Sequence, residues 1–403
     1  MKNWKTKKLS EVCAKITDGT HQTPKYFNEG VIFLSSKNVT SGKIDWDNIK
    51  YIDEKQHLEM HKRVAPKVND ILLAKNGTTG VAAMVDRNVV FDIYVSLALL
   101  RPLEGLLPEY LLHFVNSPLA KNQFNKRLKG IGVPNLHLEE IREVEIPLPP
   151  LPEQQRIVAI LDEAFAAIAK AKANAEQNLK NAKELFESYL QGVFENGNWE
   201  KVKLSELAKD ITDGDHMPPP KSEEGFPFIT ISNINKQSHQ IDFSDTFKVP
   251  KVYFDKLKEN RKPKKGDVLY TVTGSYGIPV LIEDDFEFCF QRHIGLIRPK
   301  ENISSKWLYY WILSPQAFFQ ANDTATGTAQ KTVSLTALRS FTLPKMTLKE
   351  QQNIVQKLDA LSAETKKLEA IYQQKINDLE ELKKSVLQKA FSGELKTEKG
   401  VAV

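Results

Sequence analysis

The hydrophobic pattern has two textures that alternate along the chain. Over residues 1–150, short apolar runs such as Val31-Ile32-Phe33-Leu34, Ile71-Leu72-Leu73 and Val89-Val90-Phe91 are separated by Gly, Asn and Pro turns and by short amphipathic stretches. That mixture predicts an α+β domain. After Pro147-Leu148-Pro149-Pro150-Leu151-Pro152 the texture changes, and residues 153–195 hold no Pro and a single Gly, Gly192. Apolar residues now recur at steps of four and three: Ile157, Leu161, Ala164, Ile168, Ala171, Ala175, Ala182, Leu185 and Tyr189, with Asn178 at the polar position. This is a heptad seam on one long helix. Strand-like runs return at Phe228-Ile229-Thr230-Ile231 and Val268-Leu269-Tyr270, and a second stripe follows through Ile354, Leu358, Leu361, Thr365, Leu368, Tyr372, Lys375, Leu379, Leu382 and Val386. At ~1.5 Å per residue each stripe makes a rod of roughly 60–65 Å.

The two halves are copies. With Trp4 set on Trp199, WKTKKLSEVCAKITDGTHQTP lies over WEKVKLSELAKDITDGDHMPP with 11 identities in 21 positions. Further on, Asp70-Ile71-Leu72 meets Asp267-Val268-Leu269, Gly77-x-x-Gly80 meets Gly274-x-x-Gly277, Arg101-Pro102 meets Arg298-Pro299, and Glu153-Gln154-Gln155 meets Glu350-Gln351-Gln352. A period this long is a duplicated domain pair rather than a solenoid. A long, narrow-striped helix needs a partner, and its own duplicate supplies one. Two copies meeting through the same face by a pseudo-two-fold perpendicular to the rods pair as an antiparallel coiled coil, with the heads expected toward opposite ends. The core of the seam is Ile157, Leu161, Ile168, Leu185, Ile354, Leu358, Leu368, Leu379 and Leu382. The expected boundaries are a head at 1–150, a helix at 151–197, a head at 198–346, and a helix with a tail at 347–403.

Composition narrows the chemistry. The 403 residues carry 56 Lys+Arg against 51 Asp+Glu. The excess lies in the heads: the first has 21 basic against 17 acidic residues and the second 20 against 18, whereas 151–197 has 5 against 7. Heads that touch nucleic acid and a rod that touches protein fit this distribution. Cys13 and Cys289 are too few for a disulfide framework or a four-ligand zinc site. The N-terminus lacks the apolar run of a signal peptide, and no stretch reaches the ~18–20 apolar residues of a membrane span. A cytoplasmic location is expected.

No catalytic constellation stands up. The sequence has no G-x-x-x-x-G-K-[ST], G-x-G-x-x-G or G-x-S-x-G, and no Asn/Asp-Pro-Pro-aromatic tetrapeptide of amino-methyltransferases. His57-Leu58-Glu59-Met60-His61 has two His at i and i+4 but the Glu at i+2, so it reads as a solvated helix face with no metal. Glu394-Leu395-Lys396 lacks the upstream Asp of a nuclease motif. The loops carry more. Thr17-Asp18-Gly19-Thr20-His21 and Thr212-Asp213-Gly214-Asp215-His216 set a turn-forming Asp-Gly before a His, which either holds the turn or contacts DNA. Lys75-Asn76-Gly77-Thr78-Thr79-Gly80 and Thr273-Gly274-Ser275-Tyr276-Gly277 read either as phosphate cradles, with Lys75 as a point charge, or as tight hairpins. Lys129 to Asn135 and Gly327 to Lys331 are polar Gly loops whose amides and cations suit base edges. The candidate DNA contacts are thus His21, Lys25, Lys37, Asn38, Lys75, Asn76, Thr78, Thr79, Lys129 and Asn135 in the first head. In the second they are His216, Lys221, Asn233, Thr273, Ser275, Tyr276, Arg292, Gln330 and Lys331.

The order head, long helix, head, long helix resembles the DNA specificity subunit of type I restriction–modification systems. So do Trp-x(4)-Leu-Ser-Glu opening each head, Gly77-x-x-Gly80 and Gly274-x-x-Gly277 after Asp-x-Leu, Gly327-Thr-Ala-Gln-Lys331, and Pro-Leu-Pro-Pro-Leu-Pro-Glu-Gln-Gln-Arg-Ile entering the first helix. The resemblance implies two target-recognition domains, each reading half of a bipartite site in double-stranded DNA. It also implies a coiled coil that sets the gap and docks two methyltransferase subunits, with motor/nuclease subunits able to join. The chain itself would be non-catalytic and hold no cofactor, the S-adenosylmethionine being held by the methyltransferase partner. Lys129-Gly-Ile-Gly-Val-Pro-Asn135 departs from the Gly-Thr-x-Gln form of the second head. The competing reading is a coiled-coil adaptor with two protein-binding heads, and a self-contained nuclease or methyltransferase is disfavoured by the missing motifs.

Overall fold

The structure, a computed structural model, describes residues 4–77, 79–128, 135–195, 197–217 and 219–395. It divides into two units, Met1–Ala175 with Gln374–Val403 and Glu176–Gln373. Each unit takes one head and a part of both long helices, Leu151–Glu195 and Leu348–Phe391. Among the described residues, no helix is long and apolar enough to cross a membrane.

In the first unit a four-stranded antiparallel sheet runs in the order Cys13–Asp18, Leu97–Pro102, Ile71–Ala74, Ala82–Met84. A three-stranded sheet has Val31–Leu34 between Lys50–Ile52, antiparallel, and Phe91–Ile93, parallel. Lys5–Lys8 pairs with Glu145–Leu148 and ties the start of the head to its end. The second unit repeats this plan with Ala208–Asp213, Ile294–Pro299, Val268–Thr271 and Pro279–Leu281, then Phe247–Val249, Phe226–Ile229 and Cys289–Phe290. It adds a small hairpin, Ile234–Asn235 with Gln240–Ile241.

Pairs matched in sequence take the same structural role. Asp70 accepts two hydrogen bonds from Arg101 at 2.7 and 2.6 Å, and Asp267 accepts two from Arg298 at 2.9 and 2.7 Å. These bidentate pairs lock the central strands of each sheet. Gly19 and Gly214 are required by close approach, since a Cβ at either would stand 1.9 Å from the carbonyl oxygen of Ile93 or Phe290. The Gln of each Glu-Gln-Gln is fully buried and clamps its helix to its head. Gln154 accepts from the Leu107 amide and donates to the Gly105 and Pro149 carbonyls, while Gln351 accepts from Ser304 and donates to Met346.

In the first unit the two long helices run antiparallel. Lys172 pairs with Glu380 at 2.5 Å, Lys383 lies over the Phe165 ring, and Arg156 donates to the Leu395 carbonyl, so one index falls as the other rises. Ile157 and Leu161 join Leu387, Ala390 and Phe391 in the core of the first head. In the second unit Leu190, Phe194 and Leu358 pack under Trp307 and Trp311. Ile168, Ile354 and Leu379 are partly buried. The expected seam needs correction at Leu185, Leu368 and Leu382, which are exposed, as is Tyr189. Phe186 and Leu190 turn inward instead, and Leu179 takes the inward position expected for Asn178. A helix of 3.6 residues per turn drifts from a strict heptad, and near the head its stripe follows the head rather than the partner helix.

His113, on Pro108–Val115, bonds Asp162 of the first long helix at 2.9 Å and stands edge-on to Phe165. Burial lowers its pKa, and Asp162 only partly opposes this. The fold therefore holds the neutral ring. Its stability contribution is complete above the unfolded imidazole value of ~6.5 and is lost as pH falls through the lower folded value. The wild-type melting point should drop further than that of His113→Phe between about pH 7.5 and pH 5.5; equal drops would exclude the effect.

Candidate nucleic-acid interface

The Asp-Gly turns end the first strand of each four-stranded sheet. Asp18 is buried at the end of its strand, and the Arg63 guanidinium donates both to its carboxylate and, at 3.1 Å, to its backbone carbonyl. His21 Nε2 lies 3.3 Å from Asp18 Oδ1 and 3.3 Å from Arg63 Nη2. Burial pushes the Asp18 carboxyl up, but hydrogen bonds from Arg63 and Lys75 outweigh it and hold the pKa below the usual carboxylate range. The second head repeats the group. His216 Nε2 stands 2.8 Å from Asp213 Oδ2, and Arg261 reaches Asp213 Oδ1 at 3.3 Å. Both imidazoles are more than half exposed, and both arginines keep solvent access. Each head therefore presents a positioned Arg and His over an Asp anchor. The hydrogen bonds already made to Asp limit the rotamers of a side chain that would otherwise lose entropy on contact.

Arg63 and Arg261 were not candidates from sequence. They sit where the copies diverge most and match only at an offset of 198 residues, whereas Asp70 and Asp267 just beyond stand 197 apart.

The Gly-x-x-Gly segments are hairpins, the second of the two readings. The Gly80 amide donates to Ala74 and the Gly277 amide to Thr271, both at 2.9 Å, and all four glycines have positive φ. Lys75 is not a free point charge, because it is buried and pairs with Asp18 Oδ2 at 3.1 Å. Asn38 and Asn233 are also corrected. Both are buried and cap their own turns, Asn38 accepting from Ser35 and donating to Asp45 and Asn48, Asn233 accepting from Thr230 and donating to Asp245. Thr273 is buried as well. The Tyr276 ring already stacks on Phe318, and its hydroxyl donates to Asn322.

Other candidates come together beside the hairpins. Asn76 bridges Asn135 through the backbone, Thr273 bridges Thr332, and the Gly274 amide donates to the Lys331 carbonyl. The hairpin thus meets Asn135 in the first head and the polar loop in the second. In the second, Thr273, Gly274, Ser275 and Gln330 line an open cleft of about 440 Å³ with Ser232 and Lys236. Lys331 and Arg292 are exposed, Thr79 is half-buried, and Lys25, Lys37 and Lys221 are exposed. Lys25 and Lys221 lie over Phe27 and Phe247 respectively. Thr78 and Lys129 lie outside the described residues.

The chain matches the family described as type I restriction modification DNA specificity domain over residues 1–180 and 196–381. It is 24% identical to the type I restriction enzyme StySPI specificity subunit of Salmonella potsdam, over 97% of this chain and 89% of that protein. It is 22% identical to the EcoKI specificity subunit of Escherichia coli K12, over 94% and 86%. A solved chain from work on complex assembly and conformational transition of the type I R-M system superposes with a TM-score of 0.76, at 21% identity over 98% of this chain and 99% of that one. The HsdS subunit of Thermoanaerobacter tengcongensis superposes at 0.60, at 21% identity over 98% of each chain. At that identity the superpositions speak for the fold. With the family matched twice, once over each head and most of the helix that follows it, the chain belongs to the type I restriction–modification DNA specificity family.

Proposed function

We propose that this chain is the non-catalytic reader of a type I restriction–modification complex, in which each head contacts one half of a split site in double-stranded DNA. The observation that carries this is the repeated Asp–His–Arg group beside loops that differ between heads. What is the same in both heads cannot distinguish two half-sites, so Arg63 and Arg261, with His21 and His216, are assigned to the phosphate backbone. What differs is left to read bases. Gln330 and Lys331 beside the cleft of the second head suit adenine and guanine edges, and Asn76 and Asn135 hold the corresponding place in the first.

The long helices would set the spacing between half-sites and dock two methyltransferase subunits. Their exposed Leu185, Tyr189, Leu368 and Leu382 offer apolar surface for protein. Those partners would hold S-adenosylmethionine and carry out adenine methylation; motor/nuclease subunits could then join.

Arg63→Ala and Arg261→Ala test the phosphate assignment. Each should weaken binding by roughly tenfold, the scale of one charged hydrogen bond, and reduce the slope of log K against log salt by about 0.9. The preferred sequence should stay the same. A changed base preference with an unchanged slope would move the arginines from backbone to bases. A flat salt dependence in the wild type would favour the adaptor reading.

A further inference from the structure

The pair His57 and His61 does not face solvent as its sequence suggests. Both lie at the C-terminal end of the helix Glu54–Met60, whose first turn is held by Asp53 accepting from the Gln56 amide. Both point at Asp92, in the middle of the strand Phe91–Ile93. His57 Nδ1 is 2.7 Å from Asp92 Oδ2, and His61 Nδ1 is 2.9 Å from Oδ1. Asp92 is 1% exposed, the His57 side chain 13% and the His61 side chain 32%.

The second head shows what this position holds when it serves packing alone. Asp92 pairs with Phe33 across parallel strands, as Cys289 pairs with Phe228. His57 occupies the same place in its helix as Phe254, the fourth residue after the N-cap. Phe254, Phe228 and Cys289 form one apolar cluster with Val249. The first head keeps the surrounding apolar wall, Phe33, Ile52 and Met60, but sets two imidazoles and a carboxylate inside it.

A buried carboxylate is costly unless its charge is compensated. Among the described residues no Lys or Arg pairs with Asp92; its salt-bridge partners are the two imidazoles. A divalent cation bound among the three would balance the carboxylate's charge and take both imidazole nitrogens as ligands. The three ligand atoms lie within 4.8 Å of one another. Around tetrahedral zinc, with bonds of ~2.0–2.1 Å, ligand atoms stand roughly 3.3 Å apart. The two close contacts are made to different carboxylate oxygens, so binding one ion takes a small rotation of the side chains to bring one oxygen and both nitrogens to that spacing. Two nitrogens and one oxygen select a borderline first-row ion over magnesium or calcium, which prefer all-oxygen shells. The more exposed His61 side supplies the path in and a place for a fourth ligand, water.

We propose that His57, His61 and Asp92 form a structural site for a divalent cation of the zinc class. The bound ion ties the helix to the strand and fixes the chain two residues before Arg63. This reading is independent of what the heads bind.

The test uses the full chain without a histidine tag, stripped by chelator. Cobalt(II) is titrated by its visible absorption and zinc(II) by calorimetry, on wild type, Asp92→Asn and His61→Gln. The wild type should take up one equivalent, give the absorption of tetrahedral cobalt, and melt higher with zinc present. Each variant should bind at least tenfold more weakly. His61 is the most exposed of the three, so His61→Gln decides the matter if Asp92→Asn does not fold. No saturable uptake by the wild type, or a loss in His61→Gln of less than tenfold, would overturn the site and leave a hydrogen-bonded cluster.

Discussion

Asp18→Ala should cost the first unit about 3–5 kcal/mol, the scale for leaving one partner of a buried ion pair behind, whereas Asp213→Ala should cost the second about 1 kcal/mol. The two aspartates share a motif and a partner type, yet they sit in different surroundings. Asp18 is 2% exposed and neutralises Lys75, itself only 5% exposed. Removing the carboxylate strands that ammonium in the interior. The residue matched to Lys75 is Val272, which packs in the core of the second head and has no charge to lose. Urea unfolding of each variant against wild type measures the difference. The pH dependence has a definite sign. The folded Asp18 pKa is depressed, so its stabilisation is complete above the unfolded carboxylate value and is lost as pH falls through the folded one. Equal costs for the two variants would show that Lys75 does not depend on Asp18.

Four residues added to each long helix, within 173–178 and 371–376, should lengthen the rod by about 6 Å and widen the recognised spacer by one to two base pairs at roughly 3.4 Å each. These segments lie where each helix passes from one unit to the other, outside the stretches that pack into the head cores. Four residues turn a helix by little more than one full turn, so the seam stays close to its original face. Both helices must be lengthened together, because an antiparallel pair with one insertion slips in register. Both half-sites should be read unchanged. An unaltered spacer would show that the helices do not measure it.

The duplication made much of this fold legible. Asp70 with Arg101 and Asp267 with Arg298 appear in sequence only as separate matched motifs, and in space they are the two ends of one lock. Glu-Gln-Gln at each helix entry marks a buried clamp. Side-chain direction was less legible. A polar residue in a Gly-rich loop looks available, but Asn38 and Asn233 spend their amides on their own turns, and Lys75 is drawn inward by an aspartate 57 positions away in sequence. The drift of the seam at Leu185, Leu368 and Leu382 depends on what the helix packs against, which a periodicity does not contain. His57 and His61 looked solvated because their partner, Asp92, lies on a strand 31 residues beyond.

Sequencing the methylated adenines in cells that express this chain with the methyltransferase subunit proposed as its partner tests the central claim most directly. Two heads reading two half-sites predict a single motif made of two short specified segments separated by a fixed run of unspecified bases. A continuous motif, scattered methylation, or the same pattern without this chain would contradict it.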